Sequence, residues 1–208
     1  LRDSDQVRVC GVLGGSGSGK SSLMRAGLLD QLENGMAPNS ADWRIFDFLP
    51  GSEPIKMLAL QILKFERGEG TGSRLTELMR EFQSDSKILD RHVAAALNGQ
   101  PDQRVVFFVD QLEEVFLSPR EERDAFFNNL VHAATNRAGQ TILLFTLRVD
   151  FYSNCAENPK LAELIPGHHL LVGPIEPGER RKAIAGPARL VGCEVEQALV
   201  EVLIDESG

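Results

Sequence analysis

Five short runs of apolar residues alternate along this chain with longer segments whose apolar positions recur at helical spacing. The first run is Val7-Arg8-Val9-Cys10-Gly11-Val12-Leu13, which leads into glycines. The second, Trp43-Arg44-Ile45-Phe46-Asp47-Phe48, alternates apolar and polar and stops at Pro50-Gly51-Ser52. In the third, Arg104-Val105-Val106-Phe107-Phe108-Val109, five apolar residues run straight into Asp110. The fourth, Thr141–Leu147, ends at Arg148, and the fifth, His169-Leu170-Leu171-Val172, is shorter and weaker. Continuous apolar runs of this length read as strands buried on both faces of a parallel sheet.

The intervening segments read as helices. The first spans Lys20 to Glu33, with Leu23, Ala26 and Leu29 as its apolar face, and Asn34-Gly35 stops it. Another opens at Glu53/Pro54 and reaches Phe65, with proline early, where its missing N–H does no harm. A glycine-rich surface connection, Arg67–Gly72, leads to helical patterns over Ser73–Phe82 and Lys87–Leu97. Leu75, Leu78, Met79 and Phe82 share one face of the first of these. A long helix follows from Glu121 towards Gly139, and short ones over Asp150–Ala156 and Pro159–Ile165. Two more, Pro177–Ala188 and Glu194–Asp205, close the chain.

This alternation predicts a three-layer α/β fold around a mainly parallel five-stranded sheet. Residues 1–173 form the expected core, and 174–208 the start of a helical lid. In such sheets ligands gather at the carboxyl ends of the strands. Three polar stretches follow strand ends here: Gly14–Ser22, Asp110–Glu114 and Arg148. They are expected to converge on one crevice.

Gly14-Gly15-Ser16-Gly17-Ser18-Gly19-Lys20-Ser21 fits G-x-x-x-x-G-K-[ST] at every fixed position, between a strand and a helix. Its glycines let successive backbone N–H groups turn inward around a phosphate chain, and the helix start adds its positive dipole end. Gly15, Ser16, Gly17, Ser18 and Gly19 are therefore nucleotide-binding candidates. Lys20 is expected at the β- and γ-phosphates, and Ser22 at the α-phosphate. The Ser21 hydroxyl suits Mg²⁺, which prefers hard oxygen ligands. Asp110 is the expected second support of that ion, and Glu113 or Glu114 the group that polarises an attacking water. Spacing does not choose between the glutamates, and solvent exposure near a helix start is their plainer reading. Arg148 reads as a γ-phosphate contact or as an ion pair with Asp110, Asp150 or another neighbouring acid. The adjacent His168 and His169 alternate across a strand and do not suit a shared metal.

Composition narrows the setting. The net charge of -8 over 208 residues argues against broad nucleic-acid or membrane binding. No apolar run approaches a membrane span, and the polar, acidic start is unlike a signal peptide. The three cysteines (10, 155 and 193) are widely spaced, as free thiols in a reducing cytoplasm would be. The chain does not begin with Met, which suggests a piece of a longer protein. No N-K-x-D and no L-S-G-G-Q segment occurs, which speaks against guanine-specific GTPases and ABC transporter ATPases. The extra strand expected between the loop strand and the Asp110 strand fits the division of P-loop ATPases that carries a catalytic glutamate (the ASCE type).

Four segments in order resemble the STAND NTPases, signal-transducing ATPases related to the AAA+ and NACHT groups and often fused to WD40 or other repeats. They are Gly15–Leu23 with Ala26–Leu29, Val109-Asp110-Gln111-Leu112-Glu113-Glu114-Val115-Phe116, Thr146-Leu147-Arg148-Val149-Asp150-Phe151-Tyr152, and Leu171–Ile175 with Ala185–Ala188. The resemblance implies an ATP/ADP switch: ATP permits homo-oligomerisation, and ADP holds the module shut. It implies Lys20 and Ser21 at phosphate and metal, Asp110 supporting Mg²⁺, and Glu113/Glu114 assisting hydrolysis. It further implies Arg148 sensing the γ-phosphate, with Pro174 and Ile175 near the adenine. Effector and sensor segments of the same chain are the implied partners. Two other readings stand beside it: a small-molecule kinase, which needs an acceptor pocket and an arginine-rich lid, and a module that binds nucleotide without hydrolysing it.

Overall fold

A computed structural model of the chain describes residues 7–66, 72–174, 177–190 and 192–206. The glycine-rich connection at 67–71 and Ile175 lie outside them. The expected strands form at β1 (Val9–Gly14), β2 (Arg44–Phe48), β3 (Val105–Val109), β4 (Thr141–Arg148) and β5 (His169–Val172). Their order is β2-β3-β4-β1-β5, and all pairings are parallel. The strand that separates β1 from β3 is therefore β4, as the expected division requires.

Burial explains why β3 reads as an unbroken apolar run. Its five residues are all fully buried. Val105, Phe107 and Val109 join the larger core cluster, while Val106 and Phe108 join the smaller one on the opposite face. The larger cluster is filled by α2 (Pro54–Phe65), α3 (Gly72–Ser84), α4 (Ile88–Leu97), α5 (Arg120–Thr135) and α6 (Pro159–Leu164). As expected of α3, Leu78 and Phe82 are buried and Leu75 and Met79 pack beside them. Burying a side chain of this size contributes about 1.5–3 kcal/mol.

The opposite face is covered by the helix after the glycine loop, α1. It runs through three continuous pieces: α-helical Lys20–Ser22, π-helical Leu23–Leu29 and α-helical Asp30–Glu33. Here the expected apolar face is corrected. Leu23 is 49% exposed and Ala26 is exposed, whereas Met24, Leu29 and Leu32 are buried against Val12, Val106 and Phe108. The cause is the π segment, whose i→i+5 spacing brings Met24 and Leu29 onto one side. Beyond β5, α7 (Pro177–Leu190) and α8 (Gln197–Glu206) pack on each other, tied by Arg181 and Glu201 at 2.7 Å.

Candidate functional site

The glycine loop connects β1 to α1 at the carboxyl edge of the sheet. Gly19 precedes the helix with φ of 81°, a left-handed conformation that glycine adopts without strain. Gly14 is confined differently: a Cβ there would meet the Val172 carbonyl at 2.6 Å and Ser18 Oγ at 2.7 Å. Lys20 is buried and its ammonium donates to the carbonyls of Gly14 (3.2 Å) and Gly15 (2.6 Å). Ser18 is buried as well, and its hydroxyl has no hydrogen-bond partner among the described residues. A buried, unpartnered hydroxyl in a glycine-rich loop at a helix start fits an oxyanion ligand.

Asp110 follows β3 and is 2% exposed. Its Oδ1 accepts from Ser21 Oγ (2.7 Å), Thr146 Oγ1 (2.6 Å) and the Gln111 N–H (3.1 Å). The same Gln111 N–H also reaches Thr146 Oγ1 at 2.8 Å. Thr146 lies on β4, so this network exists because β4 lies beside β3. Asp110 Oδ2 pairs with Arg25 Nη1 at 2.9 Å. Arg25 also forks onto both oxygens of Asp47, at 2.6 and 2.9 Å, and lies over the Phe108 ring. The Asp47 hydrogen bond, with attraction from Asp47 and Asp110, raises the guanidinium pKa above its ordinary value.

Gln111 has φ of 55°, which is uncommon for a residue with a side chain. That turn starts a 3₁₀ segment, Leu112–Leu117, in which the two glutamates part ways. Glu113 Oε2 accepts from the Arg148 N–H at the end of β4 (3.2 Å). Glu114 Oε2 accepts from the Gly51 N–H in the loop after β2 (3.1 Å). The Arg148 guanidinium pairs with Asp150 at 2.5 and 3.2 Å and sits over Phe151. The Asp150 hydrogen bond raises the Arg148 pKa, and Arg148 in turn lowers that of Asp150. Of the partners foreseen for Arg148, the structure thus selects Asp150, not Asp110.

A cleft of ≈ 370 Å³ collects Ser16, Gly17, Lys20 and Ser21 from the loop, Gln111, Glu113 and Glu114 from after β3, and Thr146 and Arg148 from β4. Leu117 and Phe151 complete its wall. Ser22 is exposed on α1, and Pro174 is exposed just beyond β5; neither lines this cleft. His168 and His169 bond through Nδ1 to the carbonyls of Leu164 and Ile165. Among the described residues no group of three His, Cys, Asp or Glu is arranged around a metal position, and no helix is long and apolar enough to cross a membrane.

Three participants in the Asp110 network escaped the sequence reading: Arg25, Thr146 and Gln111. Two signals existed. Arg25 stands four residues after Ser21 on a helix, and Thr146 is a polar interruption in an otherwise apolar strand.

Loop, Asp110, parallel sheet and inserted β4 together define a P-loop NTPase. Within that class the chain belongs to the novel STAND NTPase 1 family, whose model matches residues 1–208. Two solved structures share the fold at low identity. The Walker-type ATPase PABY2304 of Pyrococcus abyssi is 15% identical, with a TM-score of 0.53 over 98% of this chain and 59% of that one. Aeropyrum pernix ORC2, solved as ADPNP–ADP complexes, is 14% identical, with a TM-score of 0.57 over 88% of this chain and 46% of that one. The chain thus spans about half to three-fifths of these neighbours' length. No curated protein matches it in sequence.

Proposed function

We propose that the chain is the ATP-binding and slowly hydrolysing switch of a STAND-type signalling protein, with nucleotide state controlling homo-oligomerisation and effector output. The observation that carries this reading is the 2.7 Å contact between Ser21 Oγ and Asp110 Oδ1, made across the end of β4. It unites the loop and the strand-end carboxylate in one site. A hydroxyl and a carboxylate held together are a hard-oxygen pair suited to Mg²⁺, with the nucleotide's own oxygens completing the set. When bound, the ion would neutralise charge on the β- and γ-phosphates.

The residues then divide the work. The loop amides and the free Ser18 hydroxyl hold phosphate oxygens, with Gly15, Ser16, Gly17 and Gly19 shaping the curl and Ser22 at its outer edge. Lys20 leaves the loop carbonyls for the phosphates. Glu113, held on the β4 side where the cleft also contains Lys20, polarises the attacking water, while Glu114 anchors the loop at Gly51. Arg148 exchanges Asp150 for the γ-phosphate. Pro174 borders the base, and residues 174–208 begin a lid. Complexes of ORC2 with ADPNP and ADP on a similar fold support nucleotide as the ligand.

The test follows ATP and ADP binding with Mg²⁺, phosphate release and particle size together, in the protein and in Lys20→Ala, Glu113→Gln and Glu114→Gln. The switch reading expects slow phosphate release and growth in size with ATP, both lost in Lys20→Ala. It also expects a loss of release of about a hundredfold in Glu113→Gln and a smaller one in Glu114→Gln. Phosphate transfer only when a small acceptor is added would establish a kinase. Binding without any release would establish a non-hydrolysing module.

A further inference from the structure

Asp110 does not wait for a metal with a bare carboxylate. Oδ1 is held by three donors of the surrounding backbone and hydroxyls, and all three are compatible with a metal on Ser21, because a hydroxyl can donate its proton to Asp110 while its lone pairs face the ion. Oδ2 is different. It pairs with a cation, the Arg25 guanidinium at 2.9 Å. Arg25 has a second carboxylate within the same reach, Asp47 on β2, bound through two nitrogens. Its side chain is 44% exposed, so the guanidinium has room to shift, while Asp110 is nearly sealed. The π turn containing Arg25 underlies this placement, since it rotates Met24 into the core beside it.

We propose that Arg25 is a built-in countercation that competes with Mg²⁺ for Asp110, so that metal-loaded nucleotide binds by driving Arg25 wholly onto Asp47. Arg25 is thus a positioning residue that sets how much Mg²⁺ the site demands. This inference rests on the reading of Ser21 and Asp110 as the metal support. A planar fork can serve two carboxylates at once and then retreat to one, which a lysine's point charge does less well. Two cations on one carboxylate group repel each other and share its single charge, so the coupling between them is negative.

The experiment measures binding of a fluorescent ADP analogue across a Mg²⁺ series and the melting temperature without nucleotide. The proteins are the wild type, Arg25→Gln and Asp47→Asn. The midpoint in Mg²⁺ is expected to fall about tenfold in Arg25→Gln, because the competitor is gone. It is expected to rise in Asp47→Asn, because Arg25 then has Asp110 as its remaining carboxylate. A merely structural role for Arg25 would lower melting temperature and binding at every Mg²⁺ concentration but leave the midpoint in place, and that overturns the proposal. An unchanged or higher midpoint in Arg25→Gln also overturns it. If Arg25→Gln does not fold, Asp47→Asn decides alone: a midpoint that stays or falls rejects the countercation. A wild type with no Mg²⁺-dependent nucleotide binding removes the metal reading itself, and this inference with it; a normal wild type with unmoved variants removes only the role of Arg25.

Discussion

The surroundings of Asp110 and of Arg148 are built in opposite ways. At Asp110, a carboxylate that is 2% exposed receives four protein donors drawn from α1, β4 and its own turn. At Arg148, a guanidinium that is 42% exposed is held by Asp150, two residues further along. A buried polar network is costly to leave half-satisfied, so the hydroxyl and amide donors on Oδ1 have essentially one arrangement, and Arg25 on Oδ2, a partly exposed side chain, is the member free to move. An exposed ion pair is worth little and re-forms with whatever anion approaches. The contrast gives the site a buried floor around Asp110 and an exposed rim at Arg148, which under the proposed function are the metal support and the phosphate sensor.

The comparison breaks most visibly at Asp110. Asp110→Ala leaves Arg25, Ser21, Thr146 and the Gln111 N–H without their shared acceptor. Unfolding in urea should show a loss of about 2–4 kcal/mol, mainly from buried hydroxyl and amide donors left without an acceptor, since Arg25 is partly exposed and keeps Asp47. Asp110→Asn keeps one acceptor oxygen but faces Arg25 with an amide, so its loss should be smaller. A loss under about 1 kcal/mol in Asp110→Ala would mean that the floor is not a network at all. Next comes Thr146→Val, which keeps the shape and removes one donor to Asp110 and one acceptor of Gln111. Its expected cost is about 1–2 kcal/mol by the same measurement.

These two residues also mark where sequence stopped being informative. Asp110 was legible because an apolar strand running into an acid is a local pattern. The loop was legible for the same reason, as was each strand, since their spacing and flanks are contiguous. Thr146 was not, because its role depends on β4 lying next to β3, and adjacency of strands is a long-range fact. Arg25 needed both that sheet and a π turn, which no 3.6-residue periodicity reveals; the same turn misdirected the expected face at Leu23 and Ala26. The choice between Glu113 and Glu114 stayed open because it turns on the backbone after Gln111, a left-handed residue beyond which one carboxylate meets the end of β4 and the next the loop after β2.

The rim is tested by Arg148→Ala. Stability should change by less than about 1 kcal/mol, since only an exposed ion pair and an exposed cation–π contact with Phe151 are removed. Phosphate release should nonetheless fall about ten- to a hundredfold if the guanidinium meets charge developing in the reaction. Turnover would then respond far more strongly than stability. Asp150→Asn sharpens this further: it frees the guanidinium without removing it, so release should persist or rise. Loss of release in both variants would mean that the ion pair itself, and not a mobile arginine, is what the site uses.

The smallest expected effect asks how much of the rim moves. Arg148 leads into the 3₁₀ segment Val149–Glu157, which carries Asp150 and Phe151 and is pinned from below by Cys155. Cys155 is 3% exposed, its thiol points to the Phe151 carbonyl at 3.8 Å, and burial pushes its pKa from 9.0 to about 11. The exposed Cys193 provides an internal reference for labelling. At neutral pH a thiol reagent should modify Cys193 quickly and Cys155 slowly, because a protonated, buried thiol is a poor nucleophile. Addition of ATP should leave Cys155 protected if only the guanidinium swings, and should expose it if the whole segment lifts. Alkali offers an independent check on the same pin. Below pH 9.0 the thiol is protonated in both the folded and the unfolded chain, so its contribution is complete. Between 9.0 and about 11 the unfolded chain releases the proton and the fold retains it, so stability declines with rising pH. Cys155→Ala should remove that part of the decline; an identical alkaline profile in the variant would show that Cys155 does not hold the segment down.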